Sequence, residues 1–259
     1  MWAAIVAVVA LWSGTATAAP QAHLTNEVQL DPVYRQGIAR AKSGWVLSGT
    51  RELALADDRL QDVKRVTDAI PPDWAAQGYD HIGDIDVVGR YVYAPFEQPD
   101  YERGVQAIAR YDAKTLDFVD AVTVPQHEAS FVTVDPKTMI AYSLDRFGGD
   151  ALLRYDVRKD WKPLTPVHMS QFVDRVQGGD VTAGTMWLST DDDGNTLYRV
   201  ILPRGRVEAL GNAGHVDGEG EGIDATKVRG DRLHVLTVDV AITPVWLGNL
   251  SVTDGGKAS

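Results

Sequence analysis

The sequence predicts an all-β protein built as a five-bladed β-propeller, and two observations support this. A short strand recurs five times, with its end points about 46 to 48 residues apart. Each copy sits in a group of strand-like segments rich in Val, Ile, Tyr and Trp and bounded by Gly, Asp, Asn and Pro. Four-stranded units repeated at this period are typical of propellers, in which each blade packs against the next. A six-bladed ring, with one blade hidden around 70–79, is the alternative.

The recurring strand ends at a chemically similar position in each unit. The five copies are WVLSGTR, YVYAPFE, IAYSLD, MWLSTD and LHVLTVD, which end at Arg51, Glu97, Asp145, Asp191 and Asp239. Four of them end on a carboxylate, and the first ends on an arginine. A second echo, Arg110-Tyr111-Asp112 and Arg154-Tyr155-Asp156, recurs 44 residues apart in the following strand. The two echoes together set the register of the blades.

The fifth unit stops one strand short. The N-terminal stretch 27–30 (EVQL) is the predicted replacement, because a strand from the other terminus would close the ring and cover an open sheet edge. A single helical turn is predicted at 72–77.

The chain begins with a segment that resembles a secretory signal peptide. An apolar run at 3–12 is followed by Ala16-Thr17-Ala18, a cleavage-like pattern, although no Lys or Arg precedes the run. The run is shorter than a bilayer span, which needs about 20 apolar residues. We therefore predict a signal peptide at 1–19, a propeller at 20–253, a flexible tail at 254–259 and a secreted protein. A buried core segment is the alternative for the first residues.

The amino-acid composition excludes some classes of catalytic and metal site and disfavours some binding partners. The chain has no cysteine, which excludes thiol nucleophiles, zinc–thiolate sites and iron–sulfur clusters. Its net charge of −11, without a run of Lys or Arg, disfavours nucleic acid and anionic membranes and suits a divalent cation or a cationic ligand. No segment of the mature chain is apolar enough to span a membrane. We predict a monomer that binds a small-molecule or carbohydrate ligand.

The repeat geometry predicts a metal site. Because the first two strands of a blade are antiparallel neighbours, the start of the first and the end of the second lie at the same mouth of the central channel. Asp84, Asp180 and Glu221 open inner strands there, and carboxylate oxygens are ligands that Ca²⁺ prefers. A water-filled channel lined by hydrogen-bonded acids is the alternative.

The same mouth carries candidate catalytic residues. His81 and His127 open neighbouring inner strands and suit general acid or base chemistry near neutral pH, together with Glu97 and Asp145. The predicted substrate contacts are Arg51, Tyr101, Asp191 and Asp239. The alternative is structural: strand-end acids also accept hydrogen bonds from the turn that follows, and Arg51 would then pair with a neighbouring acid.

The segments HIGDIDVVGRYVYAPFE and GEGEGIDATKVRGDRLHVLTVD resemble blade openings in secreted, calcium-binding β-propellers of the phytase-like, olfactomedin-like and gluconolactonase-like groups. The resemblance implies that Asp84, Asp180 and Glu221 bind a central ion. The basic residues expected around phytate are missing from the rim, which argues against a phytase.

The sequence thus leaves two function classes open. One is a secreted, metal-containing enzyme that uses acid/base chemistry on a small or carbohydrate-like substrate, possible reactions being those of a hydrolase or a lyase. The other is a non-catalytic binding or adhesion propeller with a structural calcium ion. A catalytic propeller is expected to lose turnover but keep its fold when His81, His127 or Glu97 is replaced.

Overall fold

Five antiparallel sheets form a closed ring in the computed structural model, which describes residues 19–212, 214, 218–228, 232–239 and 244–253. The predicted five-bladed β-propeller is confirmed, and the six-bladed alternative is wrong. The predicted signal peptide, apart from residue 19, and the predicted tail lie outside the described residues. No helix within the described ranges is long and apolar enough to cross a bilayer.

The blades follow the chain in order. The N-terminal strand is β1 (Gln21–Leu30). Blade 1 contains β2 (Gly37–Ala41), β3 (Gly44–Ser48), β4 (Leu53–Ala56) and β5 (Asp62–Val66). A short helix, α1 (Pro72–Ala75), then precedes blade 2. Blade 2 contains β6 (His81–Ile82), β7 (Asp86–Val88), β8 (Tyr91–Glu97), β9 (Gln106–Asp112) and β10 (Phe118–Val124), with β6 and β7 sharing the innermost place.

The other three blades repeat this pattern. Blade 3 contains β11 (Thr133–Asp135), β12 (Ile140–Ser143), β13 (Gly149–Asp156) and β14 (Lys162–Val173). Blade 4 contains β15 (Val176–Thr182), β16 (Thr185–Thr190), β17 (Thr196–Ile201) and β18 (Arg206–Asn212). Blade 5 contains β19 (Glu219–Asp224), β20 (Leu233–Val238) and β21 (Val245–Thr253), and β1 is its fourth strand. Two 3₁₀ turns, Tyr101–Arg103 and Val157–Lys159, follow β8 and β13.

The N-terminal strand closes the ring, as predicted. It pairs antiparallel with β21 from Gln21 opposite Thr253 to Leu30 opposite Val245, so it is longer than the four residues expected. Arg65 of β5 donates to Asp31, just beyond β1, at 2.8 Å and also pairs with Asp62. The junction between the first and last blades is therefore held by backbone pairing and by this charged contact.

The strands next to the channel are apolar on both faces because each blade is covered by two neighbours. In β3, Val46 packs in a cluster with Val92 of blade 2, whereas the adjacent Leu47 packs with Leu236 of blade 5. Five such clusters fill the five spaces between blades. Burial on both faces explains why these strands lack a strict alternation of apolar and polar residues.

The predicted helical turn before blade 2 is confirmed as α1. Trp74 of this helix packs edge-on against Tyr79 at 5.2 Å and Phe96 at 6.3 Å between ring centroids. Tyr79 is buried in the cluster between blades 1 and 2. The helix therefore anchors the segment that leads into the inner strand bearing His81 and Asp84.

Candidate functional site

Equivalent positions of the five inner strands, aligned by their spacing along the chain, define three levels along the channel. We name them the mouth level (Gln36, Gly83, Ser130, Gln177 and Glu221), the plug level (Gly37, Asp84, Phe131, Gly178 and Gly222) and the lower ring (Ala39, Asp86, Thr133, Asp180 and Asp224). The lower-ring positions are 47, 47, 47 and 44 residues apart. Each also lies opposite the corresponding residue of the second strand in its blade.

Asp84 occupies the axis at the plug level. Its Oδ1 accepts hydrogen bonds from the backbone N–H groups of Ile38 at 3.2 Å and Ile85 at 3.0 Å. Its Oδ2 accepts from Gly179 at 3.0 Å and Ile223 at 3.2 Å. These donors belong to blades 1, 2, 4 and 5. The inner edges of the inner strands have no neighbouring strand, so their N–H groups need such an acceptor.

The backbone of Asp84 reaches the remaining blade. Its N–H donates to Ser130 O at 2.7 Å, and its carbonyl accepts from Val132 N at 3.3 Å. A side chain would not fit beside it: a Cβ at Gly178 would lie 2.8 Å from Asp84 Oδ2, and one at Gly222 would lie 2.6 Å from Oδ1. Asp84 therefore closes the axis and makes the mouth above it a cup. Burial raises the pKa of Asp84 well above its usual range, and the four N–H donors oppose that rise.

The lower ring links neighbouring blades by a repeated hydrogen bond. A side chain of one blade accepts the N–H that follows the equivalent residue of the next. The bonds are Asp86 Oδ2 with Val134 N at 2.7 Å, Thr133 Oγ1 with Val181 N at 3.0 Å, Asp180 Oδ2 with Ala225 N at 2.6 Å, and Asp224 Oδ2 with Arg40 N at 2.8 Å. Blade 1 has Ala39 at this place, and Asp86 Oδ1 accepts Val87 N itself at 2.6 Å.

The lower ring makes folding stability depend on pH. Burial and the charge of Asp224 raise the pKa of Asp86 to about 6, and the Thr133 hydroxyl lies 3.1 Å from Asp86 and 3.3 Å from Asp180. A raised folded-state pKa means that the unfolded chain releases this proton first. Stability is then expected to fall as pH rises from about 4 to about 6, by about 3 kcal/mol for the two-unit shift.

This dependence can be checked by urea unfolding at pH 4 to 7 with the wild type and Asp86→Asn. The variant has no titrating carboxyl group at this position. The free energy of unfolding of the wild type minus that of the variant should therefore fall as pH rises from about 4 to about 6. A difference that stays constant with pH would contradict a raised pKa at Asp86. Taking the difference between the proteins cancels the titration of the surface acids, which both share.

The three predicted metal ligands lie at different levels. Glu221 is at the mouth level, Asp84 at the plug level and Asp180 in the lower ring, and the strand rise is about 3.3 Å per residue. No group of three or more acidic or histidine side chains in the described part of the chain is arranged to hold a metal ion. Both oxygens of Asp84 already accept hydrogen bonds, and Asp180 Oδ2 accepts the Ala225 N–H. These residues therefore do not fit a single calcium centre, and calcium binding stays a prediction.

The predicted catalytic residues meet as two histidine–carboxylate pairs. His81 and Glu97 are cross-strand partners of β6 and β8, and His81 Nδ1 lies 3.1 Å from Glu97 Oε2. Glu97 is 1% exposed, and its Oε1 accepts Ala129 N at 2.6 Å. His81 Nε2 lies 2.6 Å from Gln36 Oε1. A buried and fixed carboxylate thus orients an imidazole whose other nitrogen reaches the mouth level.

The second pair is more open. His127 Nδ1 lies 3.0 Å from both oxygens of Asp145. The backbone N–H of His127 also donates to Asp145 Oδ1 at 2.9 Å. The His127 side chain is 35% exposed and that of Asp145 is 46% exposed. Solvent screens a pair with this exposure, so the first pair is the better defined of the two.

Tyr101 lies near Glu97 of the first pair and near Glu128. Its ring packs edge-on against Phe147 with centroids 6.0 Å apart, and burial together with the charges of Glu97 and Glu128 raises its pKa to about 12. Glu128 and Gln36 are site residues that the sequence prediction omitted. Burial raises the pKa of Glu128, whose carboxylate accepts the Phe147 N–H. Both residues lie at the start of an inner strand, as the two histidines do. This position in the repeat could have identified them as site residues from the sequence.

The other predicted substrate contacts have diverse surroundings. Arg51 donates to Asp68 Oδ1 from Nε at 3.0 Å and Nη2 at 2.6 Å, which matches the alternative in which it pairs with a neighbouring acid. Asp191 is half-buried, and burial raises its pKa. The Asp239 N–H donates to Pro244 O at 3.0 Å. Substrate binding by these residues stays a prediction.

Comparison with known proteins gives the fold. No known family and no curated protein matches the chain. Among solved structures, the WD40 repeats of RRP9 match at 12% identity and a TM-score of 0.50 over 85% of this chain. Hydrazine synthase of Kuenenia stuttgartiensis matches at 13% and 0.49 over 88%, and Hsv2 of Kluyvelomyces marxianus at 10% and 0.40 over 78%. The chain covers 62%, 64% and 55% of these structures, respectively, which is under two thirds of each. The RRP9 match agrees with the propeller fold. At this identity it gives no evidence of an activity for this chain.

Proposed function

We propose that this propeller is an enzyme that hydrolyses a small or carbohydrate-like substrate in the cup above Asp84, with His81 as the general base. The observation that carries the proposal is the His81–Glu97 pair, in which His81 Nε2 contacts Gln36 of the mouth level. Export from the cell belongs to the same proposal, and the apolar N-terminal segment with its cleavage-like pattern supports it.

The geometry of the pair suits proton transfer. A carboxylate at Nδ1 holds the ring in the tautomer that leaves Nε2 free to accept a proton, and it stabilises the imidazolium that forms. The Glu97 side chain is held in place, because its other oxygen accepts the backbone N–H of Ala129 in blade 3. The nearest neighbour of Nε2 is the amide of Gln36, which is neutral and can turn to offer either its oxygen or its N–H.

Asp84 closes the channel below the cup, which supports catalysis at this mouth rather than passage of a ligand through the ring. Asp84 and the adjacent glycines fill the axis one residue below the mouth level. A substrate that enters the cup would therefore stop beside His81 and Gln36. Such a position is what general base catalysis by His81 requires, since the base must lie within hydrogen-bond reach of the proton that it removes.

The test is turnover of a panel of chromogenic glycosides, sugar lactones and carboxylate esters by the chain without residues 1–19. His81→Asn keeps an N–H for Glu97 but has no basic nitrogen, so kcat/KM is expected to fall about 100-fold or more at an unchanged melting temperature. His168→Asn, an exposed position on β14, is the matched control and should behave as wild type.

Two results would overturn the proposal: no turnover of any panel member, or equal turnover by wild type and His81→Asn. Saturable ligand binding in the cup without turnover would instead indicate the non-catalytic binding propeller.

A further inference from the structure

Glu221 lies on blade 5, next to blade 1, which carries Gln36. It lies at the mouth level of blade 5, and the chain there abuts blade 1 closely: a Cβ at Gly222 would be 2.6 Å from Gly37 Cα and 2.9 Å from Gln36 O. The Gln36 side chain in turn contacts His81 Nε2 at 2.6 Å. Blade 1, which carries Gln36, therefore lies between the blade of Glu221 and the blade of His81.

The carboxyl group of Glu221 is largely buried, and it has no partner among the residues that the structure describes. The residue is 5% exposed. Among the described residues its side chain accepts no hydrogen bond and forms no ion pair, and its oxygens are not fully enclosed. Its backbone carbonyl accepts the hydroxyl of Ser189. A buried carboxyl group without a partner is costly, because it loses its hydration and gains nothing in exchange.

The charges around Glu221 increase this cost. Burial and the nearby carboxylates of Glu219, Asp191 and Asp84 raise its pKa well above the usual range, and Arg35 acts in the opposite direction. Arg35 is itself shared, since it lies 3.8 Å from Glu219. Three acids and one arginine around a buried carboxyl group leave a local excess of negative charge that a cation would neutralise.

We propose that Glu221 binds a primary ammonium group of the ligand that enters this cup. The inference deepens the proposed function, on which it rests for placing substrate at this mouth, and it names the substrate class as an amine-bearing small molecule such as an amino sugar. An ammonium group has three N–H donors. One would go to Glu221, and the Gln36 and Gln177 amides and the Ser130 hydroxyl of the same level carry oxygens for the others.

An ammonium group fits these surroundings better than a calcium ion. Calcium takes six to eight oxygens, whereas Glu221 is the only carboxylate among the five mouth-level residues. The other four are two amides, a hydroxyl and a glycine. At this level one carboxylate with neutral acceptors beside it matches the few directional donors of an ammonium group, and the charges of Glu219, Asp191 and Asp84 outside this level favour a cation.

The test uses glucosamine as the probe and follows the backbone amides of Gly220, Glu221 and Gly222 by NMR in the chain without residues 1–19. We expect saturable shifts at these amides with glucosamine and at least 10-fold weaker binding by Glu221→Gln. Glu102→Gln, an exposed rim position, makes the same chemical change and should bind as wild type. Glu221→Gln removes a buried charge, so it is expected to fold at least as well as wild type.

Two comparison ligands separate the explanations. N-acetylglucosamine lacks the positive charge, and equal binding of it would overturn the proposal. Calcium chloride is the second ligand. A metal site is indicated instead if calcium shifts the same amides and displaces glucosamine in the wild type but not in Glu221→Gln. An absence of saturable shifts with glucosamine would also overturn the proposal. His81→Asn should still bind glucosamine, so loss of the proposed catalysis and loss of the ammonium site are distinguishable.

Discussion

Asp84→Ala is expected to lower the free energy of unfolding by about 3 to 5 kcal/mol, because it removes the acceptor of four buried N–H groups. These donors lie on four blades, so the loss weakens the ring at its centre and not one blade alone. For a domain of this size the melting temperature should fall by roughly 10 °C. Asp84→Asn should also be destabilised, since its NH₂ group would face two of the four N–H donors.

Thermal and urea unfolding measure this effect. Asp80→Ala, which removes an exposed carboxyl group four residues earlier, is the matched control and should change stability by less than about 0.5 kcal/mol. If Asp84→Ala melts with the wild type, the four N–H groups have other acceptors and Asp84 does not hold the ring together.

Glu97→Gln is expected to reduce turnover by about 10²- to 10⁴-fold while the propeller stays folded. Oε1 of this side chain accepts the Ala129 N–H, so the carbonyl oxygen of the glutamine must remain on that side. Its NH₂ group then faces His81 Nδ1 and forces that nitrogen to accept. The proton moves to Nε2, where the base is needed, and the imidazole can no longer take a proton from substrate or water.

Two readouts separate this positioning role from a structural one. The ¹⁵N shifts of the His81 ring should show protonated Nδ1 in neutral wild type and protonated Nε2 in Glu97→Gln. The kcat/KM of any substrate that the wild type turns over should fall together with that change, whereas Glu102→Gln should leave both unchanged. Retention of the Nδ1–H tautomer with full turnover would refute a role for Glu97 in orienting His81.

The pairing of His81 with Glu97 could be predicted because it is local. The two residues are 16 apart, at the start of the first strand and the end of the second strand of one blade. Antiparallel pairing places such ends side by side, and the same argument holds for His127 and Asp145, which are 18 apart. The closing strand was predictable for a similar reason, since an unpaired edge of β21 requires a partner.

The role of Asp84 could not be predicted in this way. The sequence groups it with Asp180, yet the inner strand of blade 2 is interrupted between β6 and β7, and Asp84 lies two residues above the position equivalent to Asp180. Its partners Ile38, Gly179 and Ile223 are 46, 95 and 139 residues away. A small shift along a strand changes which residues meet on the axis, and composition does not encode that shift.

The sequence by itself determined the repeat, the five blades and the mouth that gathers the two histidines and the strand-end acids. These features follow from strand periodicity and antiparallel pairing, which act over short distances along the chain. Only the tertiary structure decided which acids accept hydrogen bonds from other blades and which do not. Asp84, Asp86, Asp180 and Asp224 accept N–H groups from other blades, whereas Glu221 accepts none within the described residues. The physical reason is that the strand edges lining the channel need acceptors, and ring closure alone brings the acids to them.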